Sequence, residues 1–319
     1  MSRNLELAHI ATALSRPWAI TAEGLEGLVS LARREGVEVQ GLGPRAESHV
    51  TGGVSAGPKD DDGDKPPKRG ALAEGDDYLR DNGRAIVRSG VAIIPVIGPL
   101  IAYPSIMESC GMTSYATLKK DLAAAVSHPT VSAVLLEVDS PGGQVTGCSE
   151  AAAAVRAAAE HLPVAAMVVG DACSAALWIV SAADHIAITP TSGVGSLGCC
   201  CSVTDRRAAE EKAGVKTHEI ISSQTPNKRP DVATDEGRAA IQRIADDTAA
   251  VFLAQVAAYR GLSLDVVQSE QFGQGAVFIG QKAVDAGLAD EVSTFDEVFA
   301  ELTGTAGGED SQGSLLSAV

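Results

Sequence analysis

Apolar and polar positions change their pattern along the chain, and the change near residue 85 divides it. Residues 4–36 carry two short stretches of helical spacing, separated at Pro17-Trp18. In the second, Leu25, Leu28, Val29 and Ala32 recur on one face and Gly36 stops it. This predicts a helical appendage over residues 1–40 that serves docking or interaction. Residues 41–76 are dominated by Gly, Pro, Ser, Asp and Lys and cannot bury enough apolar surface to offset their ordering entropy. A linker is therefore expected over 41–84. Downstream, apolar runs predict strands at 91–97, 131–138, 164–169, 185–189, 196–203 and 216–221. Helical patterns fall at 113–126 (capped by Thr113), 149–161, from Ala175, 205–213, 235–260, 280–286 and 294–302.

The run VSAVLLEV (131–138) has the continuous apolar character of a strand buried on both faces. Strands alternating with helices predict an α/β domain over residues 85–303, with a largely parallel sheet, right-handed crossovers and flanking helices. In the long helix, Ile241, Ile244, Thr248, Val251, Phe252 and Val256 mark the expected buried face, Thr234 is the expected cap and Gly261 the stop. Residues 304–319 are polar and Gly-rich and read as a frayed tail.

Composition narrows the function classes. Of 319 residues, 45% are apolar but only 3% aromatic, so the core must be built from Ala, Val, Ile and Leu. A formal charge of −16 argues against a nucleic-acid surface, which needs clustered Lys and Arg. The strongly apolar run at 91–103 is too short and Pro-broken to span a bilayer, and the first residues lack the pattern of a secretory signal, so a soluble chain is expected. Cys199, Cys200 and Cys201 are consecutive, with no spacing that suits a metal; they read as small residues of a buried strand in a reducing compartment. The run Asp60-Asp61-Asp62-Gly63-Asp64 lacks the closing glutamate of a calcium loop. No cofactor and no metal are expected.

Chemistry concentrates at residues 168–198. An apolar run there meets a small-residue turn, Asp171-Ala172-Cys173-Ser174, which leads into an Ala-rich helix. A serine at a helix start faces partial positive charge and unpaired N–H groups, which favour a developing anion. The same position equally suits a plain N-cap. A second piece, Asp139-Ser140-Pro141-Gly142-Gly143, follows the predicted buried strand, where α/β folds place ligands. Paired glycines can aim N–H groups at a substrate carbonyl, although a strand-to-helix turn uses the same residues. A serine also needs a base. None of the six histidines carries a local motif. Lys228, in SSQTPNKRPD, occupies a polar loop, where a lysine is ordinarily just solvated. A lysine acts as a base only when neutral, which burial achieves by lowering its pKa from about 10.4 towards roughly 7–8.

Together these segments resemble the signal peptide peptidase A-like serine peptidases, and more closely their phage head-maturation (capsid assembly) branch. DSPGGQVTG, ACSAALWIVSAADHIAITP, GVGSLG, SSQTPNKRPD and GAVFIGQKAVDAGLADEV carry the resemblance, over roughly residues 91–302. It implies a Clp protease/crotonase-like fold. It implies Ser174 as nucleophile, Lys228 as general base, Gly143 and the Ala175 N–H as oxyanion hole, Gly142 as shaper of that turn, and Ser196 as the residue orienting the lysine. Cys173-Ser174-Ala175-Ala176 departs from the family's commoner Ala-Ser-Gly-Gly and should tighten the pocket. Arg229 adds a second cation beside Lys228, whose repulsion would favour a neutral amine.

The resemblance further implies a homo-oligomeric ring, a lysine supplied within or between subunits, and protein substrates such as scaffold, portal or capsid proteins. The place of action would be a procapsid assembling in the host cytoplasm, without membrane or nucleic acid, and the linker would be a candidate for self-cleavage. Two other readings stay open. One is a crotonase-like acyl-CoA enzyme using carboxylates; the other is a non-enzymatic capsid interaction module docking through the long helix.

Overall fold

The structure is a computed structural model that describes residues 18–21, 72–73, 75–80, 84–104, 108, 111–203 and 205–304. The expected helices of the appendage, most of the 41–84 linker and the tail beyond residue 304 lie outside the described residues. In chain order the strands are β1 (Trp18–Ile20), β2 (Asp77–Tyr78), β3 (Ile86–Arg88), β4 (Val91–Ile97), β5 (Leu100–Ile101), β6 (Thr113–Ser114) and β7 (Ala133–Ser140). They continue with β8 (Gly142–Gln144), β9 (Val164–Cys173), β10 (His185–Ile188), β11 (Gly193–Gly195), β12 (Val277–Ile279) and β13 (Glu291–Val292). The helices are α1 (Tyr115–Ser127), α2 (Cys148–Ala159), α3 (Ala175–Val180), α4 (Arg207–Lys212), α5 (Asp235–Tyr259), α6 (Leu264–Val267), α7 (Gln281–Asp285) and α8 (Phe295–Leu302).

The large sheet has the order β12-β11-β9-β7-β4-β3-β2, and β10 joins β9 to β13. Its centre, β4-β7-β9-β11, is parallel throughout, as the alternating pattern predicts. Strand β7 is buried on both faces. Val134, Leu136 and Val138 pack with the α1 and α2 residues Leu118, Leu122 and Val155, while Ala133 and Leu135 meet Met167 and the α8 residues Val298 and Leu302. Parallel strands with helices on both faces and a small second sheet, β1-β8-β5-β6, give the Clp protease/crotonase-like fold.

Several expectations are corrected. Ser114, not Thr113, caps α1 by accepting from the Thr117 N–H; the Thr113 hydroxyl instead donates to the Ile97 carbonyl at 2.8 Å. Residues 196–203 form no strand, because Ser196 (φ 57°) and Gly198 (φ 122°) turn the chain. The cysteine triplet is consequently not a buried strand: Cys200 is exposed and Cys199 and Cys201 are half-buried. Residues 216–221 also form no strand, since antiparallel β12 already occupies the edge beyond β11, and Ile220 is 96% exposed.

The long helix keeps its Thr234 cap and its Gly261 stop, the latter at φ 63°. Of its expected apolar face, however, Phe252 and Val256 are buried while Ile244 and Val251 are exposed. Strand β2 falls inside the stretch that composition reads as linker, with Leu79 buried and Arg88 paired to Asp76.

Candidate active site

Strand β9 runs four residues beyond its expected end, because β11 pairs with it as far as Cys173 and two side-chain bonds brace the join. The Asp171 N–H donates to Asp139 Oδ1 at 3.1 Å, and the Gly193 N–H donates to Asp171 Oδ1 at 3.2 Å. The strand delivers the chain to Ser174 at φ 55° and ψ −115°, a backbone conformation that costs a non-glycine residue about 1–3 kcal/mol. Two backbone bonds hold it there. The Ser174 N–H donates to the Gly195 carbonyl at 2.8 Å, and the Ser174 carbonyl accepts from the Trp178 N–H at 2.9 Å.

The Ser174 side chain makes no capping bond to α3, so the N-cap alternative is not what the residue does. Its Oγ lies 3.5 Å from the Gly198 carbonyl, and the residue is 1% exposed. A strained, sheltered hydroxyl released from helix capping is free to act on something else.

Gly142 and Gly143 form β8 across the turn from this serine. A Cβ on Gly142 (φ +105°) would lie 2.9 Å from the Cys173 carbonyl, so the glycine edge touches the residue before Ser174. A Cβ on Gly143 would lie 2.1 Å from the Leu100 carbonyl, which leaves room there for no side chain. Ala175 opens α3, and its N–H is among the first-turn donors that a helix leaves without an intrahelical partner. Strand β11 pairs Gly195 with Cys173, so Ser196 and Ser174 each follow directly on a paired residue of adjacent strands.

Among the described residues Lys228 makes no hydrogen bond to Ser174, whose Oγ faces the Gly198 carbonyl. It ends a single 3-10 turn, Pro226–Lys228, and is exposed in a largely exposed segment. Among the described residues its amine has no hydrogen-bond or ion-pair partner. Arg229 pairs with Glu219, so part of its expected repulsion on Lys228 is neutralised. No histidine replaces the lysine in the described sheet. His185 pairs with Ala165 near the start of β9, at the opposite end of the strand from Ser174.

Sequence reasoning missed Ser140. Fully buried, its hydroxyl donates to the Gly98 carbonyl at 2.7 Å and accepts from the Gly142 N–H at 3.2 Å, fixing the turn that aims β8. The Ser-Pro step ahead of the glycines was its only local signal. Tyr115 was missed as well: its hydroxyl donates to the Gln144 carbonyl at 2.6 Å. A cavity of about 370 Å³ lies between Leu197, Gly198 and Cys199 on one side and the α5 residues Ala245, Ala249 and Leu253 on the other; the Gly198 carbonyl is the one 3.5 Å from Ser174 Oγ. Burial raises the Cys199 thiol to about 11, with Cys201 and Cys200 adding to the effect, so it is neutral near pH 7.

Among the described residues no group of three or more His, Cys, Asp or Glu could hold a metal ion. No described helix is long and apolar enough to cross a membrane.

The chain is similar in sequence to several known proteins. Capsid assembly protease C of Escherichia phage lambda is 36% identical over 225 residues, which cover 70% of this chain and 51% of the lambda protein. Head-tail preconnector protein GP5 of Enterobacteria phage P21 is 34% identical over 230 residues, 70% of this chain and 45% of its own. Protease 4 of Haemophilus influenzae is 28% identical over 240 residues, 71% of this chain and 37% of its own. The chain thus spans about half the length of the phage relatives. Residues 156–307, which include the Ser174 turn and Lys228, match peptidase family S49, and the chain carries a peptidase S49 domain.

Proposed function

We propose that the chain is a serine endopeptidase in which Ser174 and Lys228 form the catalytic dyad. The observation that carries this reading is the strained, uncapped Ser174 at the end of β9, set against the glycine edge of β8. The neutral Lys228 amine takes the proton from Ser174 Oγ, and the oxygen attacks a peptide carbonyl carbon. The Gly143 and Ala175 N–H groups hold the resulting oxyanion, a role in which one donor is typically worth roughly 3–4 kcal/mol of barrier. The ammonium returns its proton to the departing amine, and water then hydrolyses the acyl ester by the same route. Gly142 shapes the donor turn, Ser196 orients the lysine, and the cavity beside Gly198 accepts a substrate side chain.

An exposed lysine cannot serve as this base until water is removed from it. The base is therefore supplied when subunits pack into a homo-oligomeric ring, from the same chain or from a neighbour. The phage relatives support a role in head maturation, acting on scaffold, portal or capsid proteins inside a procapsid in the host cytoplasm.

A fluorophosphonate probe tests the assignment. It should label the wild-type chain at the peptide carrying Ser174 and leave a folded Ser174→Ala variant unlabelled and inactive. Equal cleavage by that variant would refute the reading.

A further inference from the structure

The small sheet holds a strand that the catalytic reading does not use. β1 lies antiparallel on β8, with Trp18 opposite Gln144, Ala19 opposite Gly143 and Ile20 opposite Gly142. The Thr21 N–H donates to the Pro141 carbonyl at 2.9 Å. In an antiparallel ladder the bonded pairs recur at every second residue, so Ala19 and Gly143 exchange both of their backbone bonds. The Gly143 N–H, the donor assigned to the oxyanion, is thus given to the Ala19 carbonyl. That carbonyl also sits where a Gly142 Cβ would be, 2.3 Å from it, and the Cys173 carbonyl lies 2.9 Å from the same point. Residues 18–21 therefore bring a peptide carbonyl to the glycine edge beside the nucleophile.

We propose that residues 18–21 are a built-in substrate mimic. The open edge of β8 is the strand on which a substrate peptide is bound, and Ala19 occupies the position of the residue whose carbonyl is attacked. This rests on the peptidase reading above and adds both a regulatory state and a substrate class to it. In this state the donor is occupied and Lys228 is exposed, so the mimic sits on the site with no base beside it. Ala19 is 1% exposed, which selects extended peptides with a small residue opposite Gly143. The pairing is mainly backbone, so it sets strand direction and register for many sequences while the buried position filters size. A substrate displaces the strand by making the same bonds.

The test uses the full chain. Ala19→Pro removes the N–H that donates to Gly143, and Ile20→Asp places a charge at a position only 7% exposed. In a Ser174→Ala background, hydrogen exchange of peptides spanning 142–146 should quicken at least tenfold in both variants, with unchanged melting of the domain. A synthetic peptide of sequence Pro-Trp-Ala-Ile-Thr-Ala should restore slow exchange, and the same peptide with Trp in place of its first Ala should need at least tenfold more. With Ser174 present, both variants should react at least threefold faster with the fluorophosphonate probe. Unchanged exchange in both variants would overturn the mimic whatever the activity. Released exchange that the peptide does not restore would overturn the assignment of β8 as the peptide-binding strand. Restored exchange with no labelling of any form would overturn the peptidase reading, and with it the role of Ala19 as a substrate mimic.

Discussion

Trp178 and Phe252 stack with ring centroids 4.5 Å apart and planes 8° from parallel, joining α3, the helix that follows Ser174, to the long helix α5. In a chain with so few aromatics this is one of two ring stacks among the described residues, and both rings lie in the core that backs α3. The Trp178 indole N–H donates to Gln255 Oε1 at 2.8 Å, and Gln255 Nε2 donates to Ser149 Oγ at 2.8 Å, so α2 is tied in as well. Phe252→Ala should cost about 3–5 kcal/mol, the usual range for a buried Phe truncation. It should also slow probe labelling at temperatures where the variant is still folded, because α3 loses its backing. Denaturant unfolding and labelling rates, measured on the same samples, check both parts.

Ser174 and its positive φ predict an inverse relation between stability and function. Glycine adopts φ 55° without the steric cost that a side chain brings. Ser174→Gly should therefore be inactive yet more stable than Ser174→Ala, by about 1 kcal/mol. Thermal melts of the two inactive variants decide it. Equal melting would mean that the turn is not strained.

Much of this was legible in the sequence, and the failures have physical causes. The parallel strands were found because continuous apolar runs are what burial on both faces demands, as in 131–138. The Ser174 turn and the Gly142-Gly143 edge were found because small residues there serve close backbone approach. The apolar residues closing 216–221 misled, because a strand needs a sheet edge to pair with as well as apolar residues, and β12 already lies beyond β11. The exposed Ile244 and Val251 misled in the opposite way: the periodicity was helical, but the described chain offers nothing to cover that part of the face. Trp18–Ile20 could not be read as a strand, since three residues carry no period and their partner lies more than a hundred residues away.

Asp290 gives the molecule an acid-sensitive joint. Burial pushes its carboxyl up, but the hydrogen bond and charge of Arg260 outweigh this, with the Ile186 N–H at 2.7 Å and His185 adding to them, and the net shift is downward. The unfolded chain then binds the proton more readily than the folded one. The stabilisation is fully present above the ordinary carboxylate range, near pH 4, and is lost as pH falls through the lower folded value. Asp76, held down by its hydrogen bond to Arg88, acts in the same direction. Asp290→Asn should lower the melting temperature at pH 7, and its deficit against wild type should shrink on acidification below about pH 4. A deficit constant from pH 7 to pH 3 would show that the charge contributes nothing.

The exposed Lys228 yields the sharpest separation of the possible assemblies. Its side chain has no partner among the described residues, so Lys228→Ala should leave the melting temperature within about 0.5 kcal/mol of wild type in stability terms. Loss of a general base typically costs 10²–10⁴-fold in rate, so cleavage should fall by about that factor. Mixing then reads out where the base comes from. If Lys228 of one subunit serves Ser174 of the next, a Lys228→Ala chain mixed with a Ser174→Ala chain rebuilds intact sites at mixed interfaces, and activity returns. If the dyad forms within one chain, no mixture can rebuild it. Specific activity should also rise with protein concentration when packing against a neighbour removes water from the lysine. A Lys228→Ala variant with wild-type kcat/KM would remove this residue from the mechanism while leaving Ser174 in place.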